Sequence, residues 1–543
     1  MSSIASAPIG QPNDLGERRT GTRSSAAAGP QPLGSARPWG ITVVITTLTL
    51  LAVGLRLYDL SRPGFLLGIN EYDEGTDFGS AVRLVHGALP YREFIMVHPP
   101  GITLLMFPVA LATKAAGTQA GLAVARVITA LAGAAAVPAA GLLTRHRGLF
   151  SVLVTCGVLT IFPDSVLASR TVLLEPWLVL FCLLGALALF DGDKVTTSTR
   201  RLLLSGVLFG FAGSVKVWAI LPVVVILVLI ARRPRQAAVY AGGVMLGFCV
   251  PVLPFALSAP ANFYRSVIAA QLFRTDIAPI SQGYRLQQLL GLSHFRQMAS
   301  PPLVSISIVV VLLIIAVTVF GSWLAHSPPP ALDWFAAGTC ALVAAAFLRP
   351  ADFYYHYSAF FVPFLALVLA LPASRLLAAL PGGRGHFYWL RNATVTTGAA
   401  AIAVLTVFQA IVESHNYTSG PPAEIAAVRQ LIPPGACVAS DQASFTIAID
   451  RFVSTAPRCS LMIDGLGTDY ALSGGRNPQT GAGSSAAVEA AWMSEFRHAT
   501  YAWLSSDANR RIPWTPQLTA YFNSHFVPLT EGPDWLYIRS APR

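Results

Sequence analysis

Residues 41–58 read ITVVITTLTLLAVGLRLY, and residues 70–77 read NEYDEGTD. The first stretch has the character of a membrane helix, which needs roughly 20 mostly apolar residues. The second holds four acids, Glu71, Asp73, Glu74 and Asp77, in a chain with only 12% charged residues. Acids gathered beside a bilayer repel one another and cost free energy unless they bind something or take part in chemistry. The two stretches therefore read as the first span of a polytopic membrane protein and an active-site loop that leaves it.

Working outward, the 543 residues are 54% hydrophobic, with a mean hydropathy of +0.58. About eleven apolar runs are candidate membrane spans. Alternation at period two, the mark of a membrane barrel, is absent. The expected fold is an α-helical polytopic membrane protein with a small C-terminal α/β domain outside the cytoplasm. The net charge of +11 comes largely from basic residues flanking spans, as the positive-inside bias requires. It does not call for nucleic acid. Lys114, Lys194 and Lys216 are the only lysines. With abundant Ala, Gly and Pro, this points to a high-GC, actinobacterial style of genome.

Residues 1–38, rich in Ser, Gly, Pro and Ala with Arg18, Arg19, Arg23 and Arg37, read as a disordered cytoplasmic tail. No cleavable signal peptide is visible. The membrane domain is expected over 39–412, in the plasma membrane, with outer loops at 59–119 and 258–301. Arg145-His146-Arg147 looks cytoplasmic, which requires the run at 102–113, broken by Pro108, to lie on the outer surface without crossing. Spans at 121–143, 149–163 and 177–190 then alternate. The run 202–231 breaks near Gly213-Ser214-Val215-Lys216, and the cost of a lone intramembrane Lys places Lys216 at an outer turn. Spans at 237–257, 303–325, 334–348, 357–377 and 393–412 follow.

Residues 413–543 form the expected outer domain. Strands are expected near Ala436–Ser440 and Trp535–Arg539, and helices near Glu424–Leu431 and Ala486–Arg497. Cys156, Cys182, Cys249 and Cys340 lie in apolar runs and read as packing residues. Cys437 and Cys459 lie in the outer domain, where oxidising conditions let them pair.

This threading gathers the unusual polar residues on one face: the acidic cluster, His98, Arg170, Glu175, Lys216, the outer loop with Arg265, Arg274, Arg285 and Arg296, and the segment Arg349 to Tyr357 with His356. Acids beside bases at membrane level suit group transfer from a lipid phosphate. A carboxylate takes the proton of an acceptor hydroxyl, and cations hold the departing phosphate.

The motifs resemble a known superfamily. Tyr72-Asp73-Glu74-Gly75, Gly87-Ala88-Leu89-Pro90-Tyr91-Arg92 and His98-Pro99-Pro100-Gly101 are similar to the first outer loop of GT-C glycosyltransferases. That superfamily includes protein O-mannosyltransferases and the lipid A aminoarabinose transferase. Ser169-Arg170-Thr171 through Glu175-Pro176 resembles their second outer loop. Gly210 through Lys216 resembles a Gly-rich helix break, and Tyr354-Tyr355-His356-Tyr357 through Pro363 resembles a late helix start.

The resemblance covers roughly 41–412. It implies a polyprenyl-phosphate sugar donor and an envelope glycan, lipid or protein acceptor. Inversion proceeds through an oxocarbenium-like state. Asp73 is the implied base, with Glu74 beside it. His98, Arg170, Glu175, Lys216, Arg274, Arg285 and His356 are the implied donor-phosphate or substrate contacts. His98 stands where the resemblance expects Lys, and a neutral ring binds phosphate less strongly. Arabinose or mannose fits the genome style.

Other readings stand beside these. Glu71 and Asp77 read as solvated flanks of the cluster, with a helix N-cap the other reading of Asp77. Arg170 and Glu175 could pair with each other, Lys216 could snorkel from a helix end, and His356 could be packing. Asp73, Glu74 and Glu175 could hold a divalent cation through oxygen ligands. The rival function is a lipid or sugar transporter or flippase, which would place its charges at the bilayer midplane and often show repeated halves.

Overall fold

The structure, a computed structural model, describes residues 38–275, 280–292, 328–349, 352–379, 386–416, 422–529 and 535–540, with scattered positions between 305 and 320. The expected tail and most of the expected span at 303–325 lie outside the described residues.

The membrane domain begins with ten helices: α1 (Pro38–Ser61), α2 (Tyr72–Val85), α3 (Gly101–Ala116), α4 (Thr118–Thr144), α5 (Leu149–Ile161), α6 (Pro163–Ser169), α7 (Leu174–Leu189), α8 (Thr199–Val215), α9 (Ile220–Ile230) and α10 (Pro234–Ser258). Helices Ala331–Phe347, His356–Ala379 and His386–Asn416 follow. Among the described residues, four helices are long and apolar enough to cross a membrane: Trp39–Ser61, Thr118–Arg147, Pro234–Ser258 and His356–Ala378. α5 and α6 pass the same test only as a pair, bent by 55° at the break between them. The bend falls at Pro163, which lacks an amide donor and leaves Phe162 extended. Five shorter apolar helices have 10–17 residues.

α8 and α10 approach closely through Gly206 and Gly210 on one helix and Gly243 and Gly247 on the other. A Cβ at any of the four would strike the facing backbone. This is the small-residue packing that membrane helices use where burial from water supplies little drive. α3, expected at the surface of the bilayer, packs against α2, α4 and α8.

Charges collect at both ends of this bundle. α7 runs from Glu175 to a short hairpin of β1 (Phe190–Asp191) and β2 (Lys194–Val195), about 24 Å at 1.5 Å per residue. At the hairpin end Arg147 pairs with Asp193 (2.7 Å) and Asp333 (2.8 Å), and Arg375 pairs with Asp333 (3.2 Å). At the other end stand Glu175, Lys216 and His356.

The C-terminal domain carries a four-stranded sheet in the order β3 (Val438–Ala439), β4 (Tyr501–Trp503), β6 (Leu536–Arg539), β5 (Phe526–Pro528), parallel only between β3 and β4. Trp492 and Phe496 of helix Ala486–His498 pack in its core with Phe522, and a disulfide joins Cys437 to Cys459.

Helix Gly465–Ser473 buries Asp469, whose Oδ1 accepts from Trp492 Nε1 at 2.8 Å. Burial first, and nearby Asp464 second, push the Asp469 carboxyl up to about 8 against the Trp492 bond. The folded chain thus keeps a proton that the unfolded chain releases above about pH 4, so stability falls as pH rises toward 8. Asp469→Asn keeps the acceptor and removes this cost. Its melting temperature is expected to exceed wild type by a margin that widens from about pH 5 to about pH 8. A constant margin would refute the assignment.

Candidate active site

The acidic cluster is the start of α2. Glu71 is the N-cap and accepts from the Tyr72 amide at 3.2 Å; it also accepts from the Glu74 amide, while the Glu74 side chain accepts from the Glu71 amide at 3.3 Å, a reciprocal capping box. Two of the four acids therefore build the helix end. The other two, Asp73 and Asp77, lie four residues apart and share a face.

Glu74 is fully buried. Its oxygens take Arg126 Nη2 at 2.5 Å and Nε at 2.9 Å, and Thr171 Oγ1 donates as well. Arg126 spends its remaining donors on the carbonyls of Phe65, Leu66 and Gly68, at 2.7–3.0 Å. Glu74 thus ties α2 to α4, with both oxygens engaged, where the sequence reading set it beside Asp73 in the chemistry.

Asp73 is left projecting, with 42% of its side chain exposed. His356 Nε2 lies 3.6 Å from it, and His356 Nδ1 lies 2.9 Å from Glu175 Oε1. Lys216 Nζ donates to that same oxygen at 2.6 Å and sits 3.7 Å over the Trp218 ring. Glu175 therefore pairs with Lys216 and His356. Arg170 does not join it, but turns to Asp59 (3.8 Å) and the Phe65 ring. Lys216 is extended between α8 and a short 3₁₀ turn, so the helix break expected from sequence delivers its side chain to the site.

His98 reaches the same place because α3 begins against the end of α8. A Cβ at Gly101 would lie 2.5 Å from the Ser214 carbonyl, so only glycine permits this approach. Tyr91 donates from Oη to the His98 carbonyl at 2.6 Å. Burial, then the charge of Lys216, with Arg274 and His356 adding, drives the His98 ring well below its usual range despite Glu175. His98 is neutral near pH 7 and offers a hydrogen-bond donor, not a charge.

Arg274 pairs with Asp352, stacks 4.1 Å from the Tyr470 ring and donates to Tyr354 Oη at 3.4 Å. Arg285 is buried, donates to the Phe347 carbonyl at 3.1 Å and lies 5.5 Å from the Phe353 ring. Glu71 and Asp77 are not solvated flanks. Glu71 accepts from Tyr355 Oη at 3.2 Å, and Asp77 is 1% exposed. Burial, with the charges of Asp73, Glu175 and Asp464, raises the Asp77 carboxyl well above its ordinary value, opposed by Lys216. Asp73, Glu74 and Glu175 do not form a shared oxygen cage, since Glu74 is held by Arg126 and Glu175 by Lys216. Among the described residues no group of three or more His, Cys, Asp or Glu suits a metal ion.

Sequence reasoning missed Arg126, Asp464 and Tyr470, and took in Asp352 only as part of the segment 349–357. Arg126 had a signal, a lone charge inside the apolar run 121–143 that demands a buried partner. Asp464 and Tyr470 had none.

The model of Glycosyltransferase family 87 matches residues 96–350. The fold is similar to ArnT from Cupriavidus metallidurans bound to undecaprenyl phosphate, with a TM-score of 0.60 and 13% identity over 92% of this chain and 98% of that one. It is similar to the apo state of ArnT with a TM-score of 0.58 and 14% identity over the same shares. The archaeal oligosaccharyltransferase AglB from Archaeoglobus fulgidus, in complex with an inhibitory peptide and a dolichol-phosphate, aligns with a TM-score of 0.48 and 13% identity over 92% of this chain and 74% of that one. No curated protein matches the chain.

Proposed function

We propose that this chain, a membrane glycosyltransferase of the GT-C superfamily, moves a sugar from a polyprenyl-phosphate donor to a hydroxyl of an envelope glycan, lipid or protein. The observation that carries the reading is the part-exposed carboxylate of Asp73, 3.6 Å from His356, whose ring shares Glu175 with Lys216 at one end of an apolar bundle. The ArnT neighbour was solved with undecaprenyl phosphate, which supports a donor of that class here.

In this mechanism the acceptor oxygen attacks the anomeric carbon on the face opposite the phosphate. Its proton passes to Asp73. The bond from the anomeric carbon to the phosphate oxygen breaks, and its electron pair leaves with the polyprenyl phosphate. Lys216 and Arg274 stabilise that charge, and neutral His98 donates a hydrogen bond to it. Glu175 orients Lys216 and His356. Phosphate leaves readily, so no strong general acid is required. The configuration inverts.

The site faces outward in this reading, with the N-terminus in the cytoplasm and the C-terminal domain outside. The basic residues at the hairpin end, Arg145 to Arg147 and Arg375, support that orientation through the positive-inside bias.

The test is incubation of the purified protein in lipid vesicles with polyprenyl-phosphate sugars, arabinose and mannose among them, and an envelope extract. One donor is expected to be consumed, yielding free polyprenyl phosphate and a product of inverted configuration. Movement of intact donor between leaflets without consumption would favour the flippase.

A further inference from the structure

We propose that the C-terminal domain is part of the catalytic site: helix Gly465–Ser473 sets the spacing between Asp73 and Arg274, with Tyr72 and Asp464 as the positioning residues. The inference rests on the reading of Asp73 as the base.

The first turn of α2 is gripped from two sides. On one side Glu74 is held by Arg126 of the membrane domain. On the other, the residues around Asp73 meet the C-terminal domain. Tyr72 Oη donates to Asp464 Oδ1 at 2.9 Å and accepts from the Leu466 amide at 3.0 Å. Thr76 Oγ1 donates to the Ile463 carbonyl at 3.1 Å. Gln442 Nε2 donates to the Glu71 carbonyl at 3.3 Å. The Arg511 guanidinium lies 4.5 Å over the Tyr72 ring and is itself fixed by Asp441 (3.2 Å) and Gln442 (2.7 Å). At Gly75 a Cβ would collide with the Ser444 backbone. Asp73 alone in this turn keeps its carboxylate for the site.

The far end of the same C-terminal helix reaches the cation. Asp464 is its N-cap, accepting from the Gly467 amide at 2.7 Å. Tyr470, six residues on, lies under Arg274 at 4.1 Å. The Thr275 amide donates to the Gly475 carbonyl at 2.9 Å, and Asn477 Nδ2 donates to the Thr275 carbonyl at 3.2 Å. One rigid helix therefore links the base to the phosphate ligand across about 9 Å. The reaction needs both groups placed on opposite sides of one anomeric carbon, and a misplacement of about 1 Å costs about 100-fold in rate.

The test uses the full-length protein and measures kcat, the Kd for polyprenyl phosphate, and melting temperature. Y72F and D464A are expected to lower kcat by about 10- to 100-fold, with the Kd close to wild type; the melting temperature stays close to wild type in Y72F and falls in D464A, which also loses the helix N-cap. D464N keeps the acceptor oxygen and is expected to regain most of the lost kcat. The double variant Y72F/D464A is expected to be no slower than the slower single variant, because both act through one contact. Wild-type turnover by Y72F and D464A would overturn the proposal, as would D464N as slow as D464A, or losses that multiply in the double variant. Should D464A fail to fold, Y72F, which removes one oxygen, decides. Asp73→Asn separates the two readings. If it turns over normally, the base assignment fails. If it is inactive while Y72F and D464A are fully active, only the positioning role fails.

Discussion

Replacing Arg126 by Met is expected to abolish recovery of folded protein. The Arg126–Glu74 pair is 1% and 0% exposed, at 2.5 Å. Removing one partner of a buried pair costs about 3–5 kcal/mol, because the other charge stays buried without compensation. Here the loss is larger, since the carbonyls of Leu66 and Gly68 lose their donor at the same time, while that of Phe65 keeps Asn70 Nδ2. An unmet buried carbonyl costs about 1–3 kcal/mol. Glu74→Gln keeps the shape and one acceptor, so it is expected to melt lower than wild type but above Arg126→Met. Size-exclusion chromatography in detergent after a temperature series measures this order. Glu74→Gln that melts like wild type yet transfers no sugar would contradict the structural role and return Glu74 to the chemistry.

Much of the membrane domain was legible in the sequence for physical reasons. The apolar run 41–58 falls within α1, and Lys216 marks the interruption of an apolar run because an ammonium inside a bilayer is costly. In the C-terminal domain, the expected strands at Ala436–Ser440 and Trp535–Arg539 contain β3 and β6. The four acids were legible as a cluster but not as individuals. Each residue of a helix turns about 100°, so Asp73 and Asp77 share a face while Glu74 turns toward α4. Charge counting could not show this, and Asp77 was read as solvated although it is buried.

Arg170 and Glu175, so close in sequence, face Asp59 and Lys216 respectively, because a new helix begins between them at Leu174. Asp464 lies 392 residues from Tyr72. A contact of that range leaves no local pattern in composition or periodicity, which is why the grip of the C-terminal residues on the first turn of α2 emerged only in three dimensions.

Asp73→Asn is expected to lower sugar transfer by about 10²- to 10⁴-fold, the range a positioned general base contributes. The amide cannot take the acceptor proton. The side chain is partly exposed, so the substitution leaves no buried group unpaired and the fold is expected to persist. Donor affinity should also persist, because the proposed mechanism assigns the phosphate to Lys216, Arg274 and His98, and not to Asp73. The most direct measurement is therefore single-turnover transfer from a preloaded polyprenyl-phosphate sugar, by wild type and Asp73→Asn at matched donor occupancy. The account predicts equal occupancy with transfer reduced at least about 100-fold. Equal transfer rates at equal occupancy would contradict it.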